Sequence, residues 1–206
     1  MSENPQSVKD DLAYIRGIVE GGGDSSAMAV TGETFVAGGL IYGLQTLSYW
    51  AQALGWFHVD GPTGLALASA PTVLFLGVLF WIIRRHRTTP KGSAAMRALG
   101  SILSAIGMAN LVLLAVFATV STRHNSFIIW LLHPITVFVL MGTGFLAIGT
   151  VRRRPWAIGV AIGWWACAIG GAFTVGTANF LIFLCLGLFG CMMIPGLIMM
   201  RRPSAV

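Results

Sequence analysis

Gln45, Asn110 and the indole N–H of Trp164 lie deep inside otherwise apolar stretches of this 206-residue chain, and His133 lies about 9 Å below the outer end of another. Each must find a partner, because a polar group facing hydrocarbon has no water to satisfy it. Gln45 and Asn110 sit about eleven and twelve residues into their stretches, ~16–18 Å deep at the helical rise. Two readings fit such amides: interhelical hydrogen bonds that fix packing, or the polar end of a ligand pocket. His133 is followed by Pro134, whose missing N–H leaves the Trp130 carbonyl without its helical partner. Pro71, followed by Thr72, sits at a similar depth in another stretch. Two interrupted helices at one depth resemble the way transporter folds build a site. His133 also changes charge near neutral pH, the property a sensor needs. Adjacent Trp164 and Trp165 project about 100° apart, so one can line a bundle while the other meets lipid. The candidate ligand or sensing pocket is therefore His133, Gln45, Asn110, Trp164 and Thr72.

Other chemistry is missing. No apolar stretch carries an Asp, Glu, Lys or Arg in its interior, and ion-coupled transport ordinarily needs one. A single intramembrane His cannot supply paired haem ligands. Gly21-Gly22-Gly23-Asp24 matches the GxGD letters of intramembrane aspartyl proteases, but it precedes the first apolar stretch and has no second intramembrane Asp. No HExxH, GxSxG, Walker A or dinucleotide glycine pattern occurs in a suitable context. Cys167, Cys185 and Cys191 read as small packing residues, since convergent metal ligands need closer spacing and partners. The sequence thus predicts no catalytic residue, no metal site and no cofactor.

The elements that must position these groups are helices in a membrane. The chain is 56% hydrophobic and 10% charged, with a mean hydropathy of +0.80. A soluble domain carries about 25% charged residues. Six stretches, roughly 34–54, 65–83, 98–120, 127–150, 156–175 and 178–200, are long enough to cross a bilayer core needing ~20 apolar residues. The connectors Gly55–Gly64, Ser121–Ser126 and Gly176–Thr177 are short, which makes the helices they join antiparallel neighbours. The predicted fold is an all-α integral membrane protein, six transmembrane helices in a compact bundle.

Basic residues set its orientation. Arg84, Arg85, Arg87, Lys91 and Arg97 lie between spans two and three, Arg152–Arg154 between four and five, and Arg201 with Arg202 after span six. The alternate loops hold Arg123 alone, so both termini are expected in the cytoplasm. The net charge of +6 is then a topology signal, and no nucleic-acid partner is implied. The start is polar and acidic, unlike a cleavable signal, so span one is expected to direct its own insertion.

Residues 1–33 read as a cytoplasmic head and 34–206 as the transmembrane domain. Ser7-Val8-Lys9-Asp10 resembles a capping box, and Val8, Leu12, Ile15 and Val19 then fall on one helical face. These predict a short amphipathic helix over about 8–20, ended by a hinge at Gly21–Gly23. Asp10, Asp11 and Glu20 outweigh Lys9 and Arg16, which makes the helix a poor anchor for anionic lipid. Its apolar face either packs on the basic end of its own bundle or docks a cytosolic protein.

Inside the membrane, Gly39 with Gly43, Ser101–Ala105–Ala109, and Gly159–Gly163–Cys167–Gly171 place small residues at helical spacing. Such faces let backbones approach closely, within one chain or between copies of a homo-oligomer. The head Asp11-Leu12-Ala13-Tyr14-Ile15-Arg16 followed by six spans resembles small bacterial inner-membrane proteins. That resemblance implies a multi-pass plasma-membrane location and no activity. The functional expectation is a non-enzymatic binding, regulatory or tethering protein acting through its head. The alternative is a small-solute or lipophile carrier with its site in the outer half of the bundle.

Overall fold

The structure is a computed structural model that describes the backbone of residues 5–88 and 93–201, with side chains described from residue 24 onward except 95. It is all-helical among the described residues: α1 (Pro5–Ala53), α2 (Gly61–Arg85), α3 (Ala94–Arg123), α4 (Phe127–Val151), α5 (Pro155–Thr174) and α6 (Ala178–Met200). Each contains a segment long and apolar enough to cross a membrane, that of α1 starting at Asp24. Proline at the first turn of α5 fits a position whose N–H has no helical acceptor. Between α5 and α6 the chain reverses through Gly176 at φ 85°, a left-handed conformation that costs glycine nothing.

One difference from expectation concerns the first helix. Gly21–Gly23 predict a hinge, yet the backbone is helical through them, and α1 is a single helix of 49 residues. Glycine in a helix costs about 1 kcal/mol without removing a hydrogen bond, so three of them weaken a helix but do not end it. The rod is about 74 Å long at 1.5 Å per residue. The expected docking face, Val8, Leu12, Ile15 and Val19, falls among residues whose side chains lie outside the described set.

The core draws on five helices, α1, α3, α4, α5 and α6. Phe145 and Ile148 of α4 meet Ala157, Ala161, Trp164 and Ala168 of α5, joined by Phe35 of α1 and by Phe180 and Leu184 of α6. The alanines let the larger side chains of α4 seat against the α5 backbone. α2 packs on α1, and α3 packs on α4 through Met96, Leu99 and Leu103. Both peripheral helices leave most of their apolar surface facing outward.

Small residues decide how closely α1 and α6 cross. A Cβ built on Gly39 would stand 2.8 Å from both the Leu188 carbonyl oxygen and the Met193 nitrogen. One on Gly43 would enter the Phe189 ring, and one on Gly196 would stand 2.9 Å from the Gly32 carbonyl oxygen. The GxxxG of span one is therefore occupied within the chain. At this crossing α6 is locally wider, with a π-helical segment over Leu186–Met193. The Ser101–Ala105–Ala109 face behaves differently from its expected part in a compact bundle. Ser101 and Ala105 are exposed, because α3 turns its bulkier Leu99, Leu103 and Ile106 side inward, Ile106 filling the space above Gly144. Gly159 likewise faces open space, while Gly163 and Gly171 lie against Cys191 and Phe180.

The helix ends bearing Arg84 and Arg85, Arg97, Arg152 and Arg201 lie on one side, with Arg123 at the opposite end of α3. Asp24 at the start of span one touches Arg152 at the end of α4 and Ser93 at the start of α3. Glu33 touches His86 at the end of α2, and Gly32 meets Met199 and Met200 at the end of α6. This side is the basic end of the bundle.

Candidate functional site

The five candidate pocket residues resolve into separate settings. Gln45 Nε2 donates to the Leu67 carbonyl at 3.1 Å and to that of Ala68 at 3.2 Å, with the Tyr49 hydroxyl also at 3.2 Å. The Leu67 acceptor has a simple origin. Pro71 lacks the N–H that would bond the carbonyl four residues back, and Gln45 supplies a donor from the neighbouring helix. α2 stays helical through Pro71, so no freed carbonyl remains to line a cavity there. Exposed Thr72 meets the Tyr42 hydroxyl, and the Tyr42 ring leans on Phe75 at 5.4 Å.

Asn110 and His133 form the second setting. Their Oδ1 and Nε2 atoms lie 3.1 Å apart across α3 and α4, and both side chains are half-buried. The imidazole stacks on Trp130 at 5.7 Å and 16°, while Phe117 presents its ring at 5.8 Å and 68°. Asn110 and Gln45 therefore share a depth without sharing a partner. Equal depth sets a height in the membrane, whereas the choice of neighbour depends on which helices pack, and α1 pairs with α2 while α3 pairs with α4.

The tandem tryptophans divide as expected, in part. Trp164 is 1% exposed and meets Phe138 edge-on with ring centres 4.6 Å apart. Trp165 is half-buried, lies over Gly142 and donates its indole N–H to the Val139 carbonyl at 3.2 Å. The Trp164 Nε1 has no hydrogen-bond partner among the described residues. Cys167 and Cys191 share a thiol hydrogen bond between α5 and α6.

A polar cluster that the motifs did not point to closes the basic end. Asp24 Oδ1 accepts from the Ser93 backbone N–H at 2.6 Å, and Oδ2 accepts from the Ser93 hydroxyl at 3.0 Å and from Arg152 Nη2 at 3.0 Å. The Ser93 oxygen in turn accepts the Met96 N–H at 3.3 Å, which caps α3. The other arm of the Arg152 guanidinium lies against the Met28 and Met96 sulfurs at 3.2 and 2.8 Å. The Arg152 and Asp24 side chains are 15% and 19% exposed, so one carboxylate and one guanidinium tie α1, α3 and α4 together in a largely dry setting. Glu33 and His86 make a second, more open link of 3.1 Å between α1 and the end of α2. The sequence carried a usable signal: acids before span one and arginines ending other spans must lie at similar membrane height.

A paired measurement tests the Gln45 assignment. Gln45→Leu should cost about 1–2 kcal/mol in detergent unfolding, because the Leu67 carbonyl loses its donor. In a Pro71→Ala background the helix supplies that N–H itself, and the same substitution should cost well under half as much. Equal losses in the two backgrounds would show that Gln45 acts elsewhere.

Comparison with protein-family models, with curated proteins and with solved structures finds no match, so the site is interpreted from its own chemistry.

Proposed function

We propose that this chain is a non-enzymatic binding or regulatory protein of the bacterial inner membrane, acting through its amino-terminal helix. In this reading both termini are cytoplasmic, which the gathering of Arg84, Arg85, Arg97, Arg152 and Arg201 at one end of the bundle supports, with Arg123 at the other. The observation that carries the reading is the continuity of α1 from Pro5 to Ala53. A partner held at Val8, Leu12, Ile15 and Val19 would act on a rod that also packs against α2 and α6 in the bundle. At the point where this rod meets the membrane, Asp24 fastens it to α3 and α4. The carrier alternative has less support, because Gln45, Asn110 and His133 each have partners of their own.

Photo-crosslinking residues placed singly at Leu12 and Ile15, with Asp10 as the opposite-face control, test this in native membranes. The expected result is the same soluble protein captured from Leu12 and Ile15 and not from Asp10. Crosslinks only to this chain's own bundle would overturn the docking function. So would solute uptake into liposomes that a chain lacking residues 1–23 catalyses as well as the full chain.

A further inference from the structure

Two thiols meet at mid-membrane. Cys167 stands twelve residues from the basic end of α5 at Pro155, and Cys191 nine residues from that of α6 at Met200. Their heights are ~18 Å and ~14 Å by helical rise, near the middle of a core about 30 Å thick. Helical side chains lean toward the amino terminus, which tilts Cys167 back over Gly163, one turn before it. A Cβ on Gly163 would stand 2.7 Å from the Cys191 Sγ, so the glycine leaves the space in which that thiol reaches α5. There the two thiols share a hydrogen bond. The seam between the helices is closed on one side and open on the other. Buried Trp164 closes the first. On the second, by helical phase, lie exposed Gly159 and Ala166 of α5 and exposed Gly190 and Ile194 of α6. A Cβ on Gly159 or Gly190 would meet nothing within 4 Å. Both thiols are half-buried, so the pair is approached sideways from hydrocarbon.

We propose that Cys167 and Cys191 are a redox-modification site, joined as a disulfide by a lipid-soluble quinone that enters the open side of the α5–α6 seam. An oxidant confined to water does not reach this depth. A quinone dissolves in hydrocarbon and accepts two electrons together with two protons. One sulfur bonds to the quinone ring, and its proton passes to one ring oxygen. The second sulfur then attacks the first, as in thiol–disulfide exchange. The sulfur–ring bond breaks, its electron pair enters the ring, and the second thiol proton goes to the other oxygen. Two thiols and one quinone give one disulfide and one quinol, leaving no net charge in a medium that would oppose it. The bond would also bear on α1. Cys191 belongs to the π-helical segment whose Leu188 and Met193 face Gly39, so the disulfide fixes to α5 the stretch against which α1 is seated.

The reduced full chain in phosphatidylcholine nanodiscs, treated anaerobically with a fully substituted benzoquinone carrying a short alkyl tail, tests the proposal. After denaturation and maleimide labelling, mass spectrometry should find Cys167 linked to Cys191 and Cys185 labelled. About one quinol should form per chain. Cys185→Ser should leave the yield unchanged, whereas Cys167→Ser and Cys191→Ser should each lower it about tenfold or more. Ala166→Leu and Gly190→Leu grow toward lipid, so both chains should fold normally and react about fivefold more slowly. Three labelled cysteines after quinone treatment would overturn the site. So would a reaction with water-soluble tetrathionate as fast as that with the quinone, since the pair would then be open to water. Unchanged rates in both leucine variants would overturn entry through the open side of the seam. A disulfide that forms as fast in air without quinone would overturn the quinone and assign the oxidant to dioxygen.

Discussion

Replacing Gly39 with leucine should strongly destabilise the bundle at the α1–α6 crossing. The first atom of any side chain there would lie 2.8 Å from two backbone atoms of α6, the Leu188 oxygen and the Met193 nitrogen. A flexible side chain can rotate away from such a contact; a helix backbone has to translate as a whole. Overpacking ordinarily costs about 1–3 kcal/mol, and a backbone obstacle belongs at or above the top of that range. Gly107→Leu is the matched control, because a Cβ at that position meets nothing within 4 Å. Away from the crossing, leucine is the better helix former by almost 1 kcal/mol, so the control should be neutral or slightly stabilising. Tryptophan fluorescence during denaturing-detergent titration reads the difference. Equal midpoints for the two variants would mean that α1 and α6 do not cross this closely.

Asp24→Ala is expected to be the most damaging polar substitution. It removes the acceptor for the Ser93 N–H and hydroxyl and strips Arg152 of its counter-charge in a mostly enclosed setting. Removing one partner of a buried ion pair costs on the order of 3 kcal/mol, because the remaining charge keeps its desolvation penalty. Asp24→Asn should lose less, since its carbonyl oxygen still accepts one hydrogen bond from Ser93. The Asp24→Ala, Arg152→Met pair should lose less than the sum of the single variants, the mark of direct coupling. Methionine beside Met28 and Met96 replaces the stranded cation with a side chain its neighbours accept. Strict additivity would show that Asp24 and Arg152 act independently.

These effects also indicate what a single sequence displays. The spans were legible because about twenty apolar residues between polar boundaries fit one solvent, the bilayer. So was the burial of one of Trp164 and Trp165, which follows from the 100° step alone. Neighbour choice was not legible. Gln45 and Asn110 sit at one height, but Gln45 is claimed by the carbonyl that Pro71 frees and Asn110 by His133. Nothing in the hydropathy pattern specifies which helix stands beside which. Composition likewise marked Gly39 and Ser101 as small without saying that one would be covered by α6 and the other left outside. The Asp24 cluster joins residues 69 and 128 positions apart in the chain, and no local spacing announces such a meeting.

The π-helical segment of α6 alters the angular phase of everything beyond it. Buried positions along this helix, Phe180, Leu184, Gly187, Pro195, Gly196 and Met199, begin against α5 and end against α1. A helical wheel drawn with 3.6 residues per turn through Leu186–Met193 accumulates an error and misorients the final turns. The change of winding thus serves two interfaces on different neighbours. A residue-for-residue alignment of span six with an uninterrupted α-helix would place Gly196 on the wrong azimuth.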